Sequence, residues 1–263
     1  MHYLRLLSSF IRISIQQEMA FRFNFFVSLL FSLLNLATGV MGLVILYRQV
    51  QTIHGWTLSS SLVLLGVFQL LGALRGMVFG PSLERLTGID GEIGNGRFDF
   101  ILLRPVNVQF LASLRNWSLF ALIDVMLGAG VVGFGIIQIG KGLTWPHLLA
   151  FLLAISAGIS ILYAMLLLFT SLVFWNIGFF FTWALNDIFQ LARYPLGLYP
   201  AWLRLVLTWI IPVGLMTTIP AQAINGELSP GMLLGCVVFA LALLFGASLM
   251  FHWGLRKYTG VSS

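Results

Sequence analysis

The sequence predicts an all-α integral membrane protein with six transmembrane helices, and three observations support this fold class. Hydrophobic residues make up 59% of the 263 residues, against about 45–50% in soluble domains. Charged residues make up 8%, against about 25% in soluble domains. The gaps between the charges are as long as membrane spans. We therefore expect a single transmembrane domain over residues 1–263 and no nucleic-acid partner.

Spans one, two and three are predicted from uncharged gaps. A spanning helix needs about 20 apolar residues, because the hydrocarbon core is about 30 Å thick and each residue rises about 1.5 Å. Residues 23–47 and 49–74 meet this requirement, and the turn is expected at His54-Gly55-Trp56. Residues 116–140 contain one charge and predict span three, which the chain enters near Pro105.

Spans four and five must share the uncharged gap from Gly142 to Asn186. A single helix over it would be about 68 Å long, roughly twice what a bilayer accepts. We place the turn at Trp175-Asn176-Ile177-Gly178, so that span five runs from about Gly178 to Arg193. The gap from Leu228 to Leu255 predicts span six.

The region 195–230 contains most of the prolines of the chain: Pro195, Pro200, Pro212, Pro220 and Pro230. Proline breaks helices, and lipid tolerates the break only where protein or water covers the freed backbone groups. We expect broken, re-entrant helices before span six. In an alternative parse, span five runs from roughly Ala201 to Met216 and the segment 178–193 is an interfacial helix.

The orientation follows from the distribution of Lys and Arg. With six spans both termini share a side, and ten of the 14 basic residues fall there: Arg5, Arg12, Arg22, Arg75, Arg85, Arg97, Arg104, Arg115, Arg256 and Lys257. This excess predicts cytoplasmic termini. Residues 1–22 place Leu4, Leu7, Ile11 and Ile15 on one helical face, which predicts an amphipathic helix lying in the membrane interface. The alternative is that this helix extends span one into the cytosol.

Residues 81–105, which we call the polar segment, form the most highly charged part of the chain. They hold seven of the 22 formal charges: Glu84, Arg85, Asp90, Glu92, Arg97, Asp99 and Arg104. Between spans two and three they lie on the cytoplasmic side. From composition alone, the segment is either a solvated connector or a docking surface for a soluble partner.

The amino-acid sequence of the polar segment resembles that of the same segment in a known family. The stretch GEIGNGRFDFILLRPVNVQF, residues 91–110, is similar to the segment between spans two and three of type-two ATP-binding-cassette (ABC) exporter permeases. The matching elements are Glu92, Gly96, Phe98-Asp99, Leu102-Leu103 and Pro105-Val106. A second group looks like the extracellular segment before the last span of that family: Arg193-Tyr194-Pro195, Tyr199-Pro200, Trp202, Ile211-Pro212 and Ile219-Pro220.

The resemblance implies a six-span permease subunit in the inner (plasma) membrane. Such a subunit pairs with a second copy or a sister permease and is driven by two copies of a separate ATPase. The chain has no G-x-x-x-x-G-K-[ST] phosphate loop, so we expect ATP and Mg²⁺ on that ATPase, no cofactor on this chain, and no enzyme activity of its own. The resemblance also implies that the seven charged residues of the polar segment contact the ATPase.

An extracellular gate is expected in the region 195–230. Its candidate residues are Pro195, Tyr199, Pro200, Trp202, Pro212 and Pro220. Arg193 and Arg204 are expected to hold this region near the outer headgroups. Spans one, two and five are the candidate seams between two permeases. Gly72, Gly76 and Gly80 repeat at four-residue spacing in span two, which is typical of helix packing in lipid, within the chain or across that seam.

Two carboxylates, Asp124 and Asp187, fall inside predicted spans. An aspartate at the centre of a spanning helix costs about 2.5–3.5 kcal/mol on insertion scales, so these residues should face protein or water. They form either a proton or ion relay or structural pairs with Arg75, Arg115, Gln69 or Gln190. A relay of this kind would fit an ion-coupled secondary transporter or channel, which stays open as an alternative function. A membrane scaffold protein is a second alternative.

Overall fold

The computed structural model describes residues 2–20, 22–88, 90–140, 142, 144–176 and 181–258, and these residues form α-helices without a β-strand. The helices are α1 (His2–Met19), α2 (Arg22–Gln49), α3 (Leu58–Leu74), α4 (Gly80–Glu84), α5 (Asp99–Leu102), α6 (Val108–Leu114), α7 (Leu122–Ile139), α8 (Trp145–Leu172), α9 (Phe181–Leu191), α10 (Ala201–Leu205), α11 (Val213–Asn225) and α12 (Pro230–Lys257). Two π-helical turns, Arg75–Phe79 and Val206–Ile210, follow α3 and α10.

Five of the described helices are long and apolar enough to cross a membrane: α2, α3 with its π turn, α7, α8 and α12. They correspond to the predicted spans one, two, three, four and six. The all-helical, membrane-spanning fold class is thereby confirmed, because length and hydropathy agree for each of them. The count of six spans stays a prediction, and it requires that the bent pair of α10 and α11 count as one span.

The predicted limits of span five, about Gly178 to Arg193, stay a prediction. The described part of the helix there, α9, has 11 residues and is about 16 Å long, which is half the thickness of the hydrocarbon core. Residues 177–180, where we placed the start of the span and part of the turn, lie outside the described residues. An uncharged gap measures how much chain avoids water, but it does not tell where the helix within it begins.

The region 195–230 is a broken helix pair, in agreement with its prolines. The segment Ala201–Ile210 and the helix Val213–Asn225 meet at an angle of 88°. Pro212 stands at the break and precedes the first residue of α11, where its missing N–H costs no helical hydrogen bond. Gly226 ends α11 in the left-handed conformation, with φ of +74°. In the alternative assignment, span five runs from roughly Ala201 to Met216 and would include this bend.

The hairpin between α2 and α3 forms at the predicted turn. His54 and Gly55 both have positive φ, and Ile53 and Trp56 exchange backbone hydrogen bonds of 2.9 and 3.0 Å across them. The Tyr47 hydroxyl donates to the Trp56 carbonyl at 3.1 Å. The turn therefore closes with its backbone groups satisfied.

Span three begins later than the entry near Pro105 that the sequence predicts. The short helix α6 ends at Leu114, and α7 starts only at Leu122. The connection between them is non-helical, and neighbouring elements accept its backbone N–H groups. Ser82 Oγ accepts from Asn116 at 2.8 Å, Ser14 Oγ accepts from Trp117 at 3.1 Å, and the Glu18 carboxylate accepts from Leu119 at 2.8 and 3.0 Å. Buried backbone donors need such partners.

The helix α1 is separate from α2, as expected for residues 1–22, and it is held to the bundle by polar contacts. Ser14 and Glu18 bind the connection before α7. Leu4 and Ile15, from the predicted apolar face, are exposed, while Phe10 is buried on the face that meets the protein. Its position in the membrane interface stays a prediction.

Close packing of α3 uses other glycines than those predicted. A Cβ at Gly66 would lie 2.8 Å from the backbone nitrogen of Val132 in α7, and one at Gly128 would lie 3.0 Å from that of Leu70. By contrast, a Cβ at Gly72 or Gly76 would make only ordinary contacts within this chain, at 3.6 and 4.0 Å. A Cβ at Gly135 would lie 3.1 Å from the backbone nitrogen of Val63, so the glycines that let the two backbones approach are Gly66, Gly128 and Gly135.

Gly80, the third predicted packing glycine, serves the π turn before it. Its N–H donates to the Arg75 carbonyl, and a Cβ at this position would lie 2.9 Å from the same oxygen. A larger residue would push this turn open. Gly72, Gly76 and Gly80 therefore share a four-residue spacing but not a structural role. Gly80 is required by the π turn, whereas Gly72 and Gly76 make only ordinary contacts within this chain.

Candidate functional site

The polar segment has a buried side that anchors it to the membrane helices. Its apolar residues Leu83, Leu86, Ile93, Phe98 and Ile101 are each at most 2% exposed. Such burial fixes the segment against the bundle, because pulling it away would expose all of these side chains to water. The segment is therefore part of the protein core on one side and not a free connector.

Phe98 is the centre of this anchor. Its ring packs against Phe174, after the end of α8, with the centroids 5.5 Å apart, and edge-on against Tyr258, after the end of α12, at 5.4 Å. Phe174 also packs edge-on against Phe251 of α12 at 5.5 Å. Gly254 makes room for the cluster, since a Cβ there would lie 2.5 Å from the Phe174 ring. The polar segment is thus tied to two spanning helices that are distant in sequence.

Tyr258 is part of this cluster and stays neutral. Burial raises the pKa of Tyr258 to about 12, and the carboxylate of Asp99 beside it acts in the same direction. A phenol with this pKa keeps its proton throughout the physiological range. Asp99 therefore faces the aromatic anchor and is half-buried, although we expected it to contact a partner.

Glu92 is locked inside the protein as well. Arg115 Nη2 donates to both carboxylate oxygens of Glu92 at 2.6 Å, and both side chains are only about a fifth exposed. Two further charges of the segment have partners in this chain, since Glu84 pairs with Arg75 and Arg85 Nη1 donates to Asn116 Oδ1 at 2.8 Å. These contacts join the segment to the π turn and to the start of span three.

The remaining charges face solvent. Asp90, Arg97 and Arg104 are exposed, and their side chains make no hydrogen bond or ion pair with any residue that the structure describes. Phe100 and Leu103 project among them and are 68% and 80% exposed. The chain therefore presents an apolar pair with unpaired charges around it, which we call the exposed face.

Sequence reasoning missed this division between anchor and exposed face. It selected the charged residues and gave no role to Phe98, Phe100 or Leu103. The signal is present in the helical spacing around α5, where Phe98 and Ile101 are buried while Phe100 and Leu103 are exposed. Residues three apart share a face of a helix.

Glycines shape the loop before α5. Gly88 and Gly96 have φ of +94° and +76°, which side chains rarely adopt. A Cβ at Gly91 would lie 2.5 Å from the Thr87 carbonyl oxygen. The glycine-rich run therefore serves a tight turn.

The candidate gate residues lie at several depths in the fold. Pro195, Pro212 and Pro220 are buried, and Pro220 is inside α11. The Tyr199 hydroxyl donates to the Leu191 carbonyl at 2.9 Å and so holds the end of α9. Pro200 is exposed, and Trp202 is 67% exposed. The bend between α10 and α11 thus has a buried side and an exposed, aromatic side.

Arg193 does not lie where the sequence predicts. Its Nη2 donates to the side-chain oxygen of Asn35 at 2.6 Å and also to the Asn35 carbonyl. Asn35 is near the middle of α2, about 20 Å from either end. Gly39 and Gly42 leave space beside it for the side chains of Arg193 and Tyr194. Arg193 therefore binds the middle of span one rather than the outer headgroups.

The two intramembrane carboxylates have different surroundings. Gln69 Nε2 donates to Asp124 Oδ1 at 2.8 Å, which is one of the structural pairings that the sequence allows. Asp187 is exposed on α9 and makes no hydrogen bond within the part of the chain that the structure describes. The two carboxylates therefore do not form a pair with each other.

Comparison with protein families gives one match, to a family described as ABC-2 family transporter protein, over residues 33–262. This range contains all five candidate spans except the start of α2, and it includes the whole polar segment. Comparison with curated proteins and with solved structures finds no match. The resemblance that the sequence shows to type-two ABC permeases is confirmed.

Proposed function

The chain belongs to the ABC-2 transporter family and is a membrane permease component of an ABC transporter, and we propose that it is the permease of an exporter that docks a separate ATPase through the exposed face of its polar segment. In this proposal the polar segment lies in the cytoplasm, as do both termini. Two ATPase copies bind two permease chains in the inner (plasma) membrane.

The observation that carries the proposal is the two-sided structure of the polar segment. Phe100 and Leu103 are exposed beside Arg97 and Arg104, while Phe98 is fully buried two residues away. Large apolar side chains held out into water among unpaired charges favour a protein partner. A solvated connector has no need for such an apolar pair.

The buried side of the polar segment connects the exposed face to the spanning helices, so a movement of the partner reaches these helices. A partner that moves the exposed face displaces Phe98 and with it the ends of α8 and α12. The ion pair of Glu92 with Arg115 transmits the same displacement toward span three. Because packed side chains do not deform continuously, the segment moves as a unit with these helices. ATP hydrolysis on the partner then changes the arrangement of the spans.

A second permease chain is part of this proposal, and α2 stays a candidate seam together with the other spanning helices that this chain leaves exposed, α7 and α12. Only 17% of the apolar window of α2 is buried within the chain, as in α7 and α12, whereas 61% of that of α3 is buried. Span two is therefore the candidate span that its own chain encloses most. An exposed spanning helix either faces lipid or packs on another protein, and a path for a large substrate requires more than one such chain.

The bent pair of α10 and α11 is proposed as the outer gate. Its break leaves backbone groups that only protein or water can satisfy, and both occur where a path meets the membrane surface. Single cysteines at the exposed positions Pro200 and Glu227, in a Cys236→Ser background, should react with an impermeant thiol reagent added outside. Labelling of both from the cytoplasm would reverse the assigned orientation.

The docking proposal is tested by substitutions on the exposed face. F100A and L103A should each reduce co-purification of the ATPase with the permease, because they remove apolar contact area without disturbing the anchor. Trp253 provides a matched control, since it is 68% exposed near the end of α12, and W253A should leave co-purification unchanged. Equal ATPase recovery with all three variants would contradict the assignment of the docking face.

Charge reversal is informative only at residues without a partner in the chain. R97E and R104E change the exposed face alone, whereas reversal of Glu92 also breaks its pair with Arg115. We therefore expect R97E and R104E to weaken ATPase binding at unchanged thermal stability. A loss of binding that always accompanies a loss of stability would indicate a folding defect instead of docking.

A further inference from the structure

A cleft of about 450 Å³ lies between α6, α8 and α12 and shares no lining residue with the exposed face or the proposed gate. Its walls are buried or half-buried, apart from Asn107, which is exposed. They combine apolar side chains with amide and hydroxyl groups, from Phe110, Ile159, Leu244, Gln109, Ser113 and Tyr163. None of the lining residues that the structure describes carries a charge.

The polar groups of the cleft lie at membrane depth, on the side of the polar segment. Tyr163 and Ser248 are each about 14 Å from those ends of α8 and α12 that the polar segment contacts through Phe98. Each of these 28-residue helices is about 42 Å long, and the hydrocarbon core is about 30 Å thick. The polar groups are therefore inside the core, where water is scarce and every polar group needs a partner.

A network of neutral side chains joins the three helices at the cleft. Gln109 Nε2 donates to the Tyr163 hydroxyl at 3.2 Å, and Ser248 Oγ donates to Gln109 Oε1 at 2.7 Å. Ser113 Oγ and the Tyr163 hydroxyl oxygen are 2.8 Å apart and share one hydrogen bond. The Tyr163 ring packs edge-on against Phe79, with the centroids 5.3 Å apart. These contacts hold the hydroxyl groups in place before a ligand binds.

One hydroxyl hydrogen of this network has no acceptor. Ser113 and Tyr163 together carry two hydroxyl hydrogens, and the bond between them uses one. The second meets no further acceptor in the described part of the chain, and Ser113 is only 2% exposed. Gln109 also keeps a spare amide hydrogen, because its Nε2 carries two and donates one. The cleft therefore offers two donors to a ligand.

A second tyrosine–serine pair, at the hairpin between α2 and α3, is complete by the same count. The Tyr47 hydroxyl donates to the Trp56 carbonyl at 3.1 Å, and Ser61 Oγ is 2.7 Å from the Tyr47 hydroxyl oxygen. Both hydroxyl hydrogens are used there. Ser113 and Tyr163 have no counterpart of the Trp56 carbonyl among the described residues. An acceptor oxygen from outside the chain would complete the pair at the cleft.

We propose that the cleft binds the uncharged head of a single-chain amphipath from the adjacent membrane leaflet. A carbonyl or hydroxyl oxygen of the head accepts from the Ser113–Tyr163 pair, and a second oxygen accepts from Gln109. The first part of the apolar chain packs on Ile159 and Leu244, and the rest extends into the lipid. This site goes beyond the transport proposal and does not require it.

The lining of the cleft selects the class of ligand. An anionic head would bring a charge to membrane depth without a cation among the lining residues, and a cationic head would find no carboxylate there. A free polyol would satisfy the donors but would leave the apolar walls uncovered. The cleft therefore favours an uncharged head that carries a chain, as in a monoacylglycerol.

The test measures binding of radiolabelled monooleoylglycerol to the full chain in nanodiscs without the ATPase. S113A/Y163F removes both hydroxyl groups and should weaken binding about tenfold, because a hydrogen bond between uncharged groups is lost. The matched control Y47F/S61A removes the complete pair at the hairpin and should bind as the unmodified chain does. Unchanged binding by S113A/Y163F, or an equal loss in both double variants, would overturn the proposal.

Three further measurements keep the outcome unambiguous. L244W narrows the cleft and leaves every polar group, so it should also weaken binding, and full binding by L244W overturns the proposal even if S113A/Y163F does not fold. Oleoyl lysophosphatidic acid, which adds a phosphate to the same molecule, should bind more weakly, and excess free glycerol should not displace the probe. Equal affinity of the anion, or displacement by glycerol, overturns the assigned class. If monooleoylglycerol binds while the ATPase does not co-purify, the docking proposal fails and the cleft assignment stands.

Discussion

Replacing Phe98 by alanine should release the polar segment from the membrane helices while the exposed face keeps its side chains. Phe98 is fully buried and packs on two aromatic rings after the ends of α8 and α12. Truncation of a buried phenylalanine costs about 3–5 kcal/mol through lost transfer free energy and the cavity left behind. F98L keeps most of the volume and should cost about 1–1.5 kcal/mol.

Limited proteolysis measures this release directly. Trypsin cleaves after Arg97, which is exposed but lies in an anchored segment. Cleavage requires local opening, and a loss of about 3 kcal/mol raises the opened fraction roughly a hundredfold or more. F98A should therefore be cut far faster than the unmodified chain, and F98L should lie between them. F100A, two residues away and exposed, should be cut at the unmodified rate.

The same pair of variants separates anchoring from docking. F98A should still bind the ATPase, although ATP hydrolysis no longer moves the spans and transport is lost. F100A should lose ATPase binding. If F98A is cleaved within about twofold of the unmodified rate, Phe98 contributes little to the anchor. The route for movement described above would then be wrong.

Three further predictions concern other contacts of the fold. E92Q should lower the free energy of unfolding by about 1.5–3 kcal/mol, because Arg115 loses its charged partner, and the double swap of Glu92 and Arg115 should recover part of this loss in thermal unfolding. G66L should prevent stable folding in detergent, since its side chain meets the α7 backbone, whereas G130L has open space and should behave normally in size-exclusion chromatography. R193A should free the segment before the bend from α2 and increase cysteine labelling at position 35 in N35C.

The spanning helices were predictable because partition between water and lipid depends on the composition of each segment. Charge-free gaps locate α2, α8 and α12 closely, and the hairpin at His54-Gly55 lies where the sequence places the turn, inside the second gap. The position of breaks within a gap depends on packing instead. The 88° angle of the bend at Pro212 therefore appears only in the structure, although the prolines predict that the helix breaks in this region.

The position of the polar segment was predictable, but its division into a buried and an exposed side was not. Charge density marks residues 81–105, yet burial of an acidic residue depends on a partner elsewhere in the chain. Glu92 is removed from the surface by Arg115, 23 residues later. Similarly, a glycine spacing within one helix cannot identify the close contact of Gly66 with α7, because the register between two helices is a tertiary property.

The mass of the native complex tests the central claim most directly. The permease has a mass of 29.2 kDa, and the complex purified in nanodiscs with its ATPase should contain two permease chains and two ATPase chains by native mass spectrometry. The L103A variant should give permease without ATPase. A complex with a single permease chain, or a permease that never carries an ATPase under conditions that preserve its fold, would contradict the account.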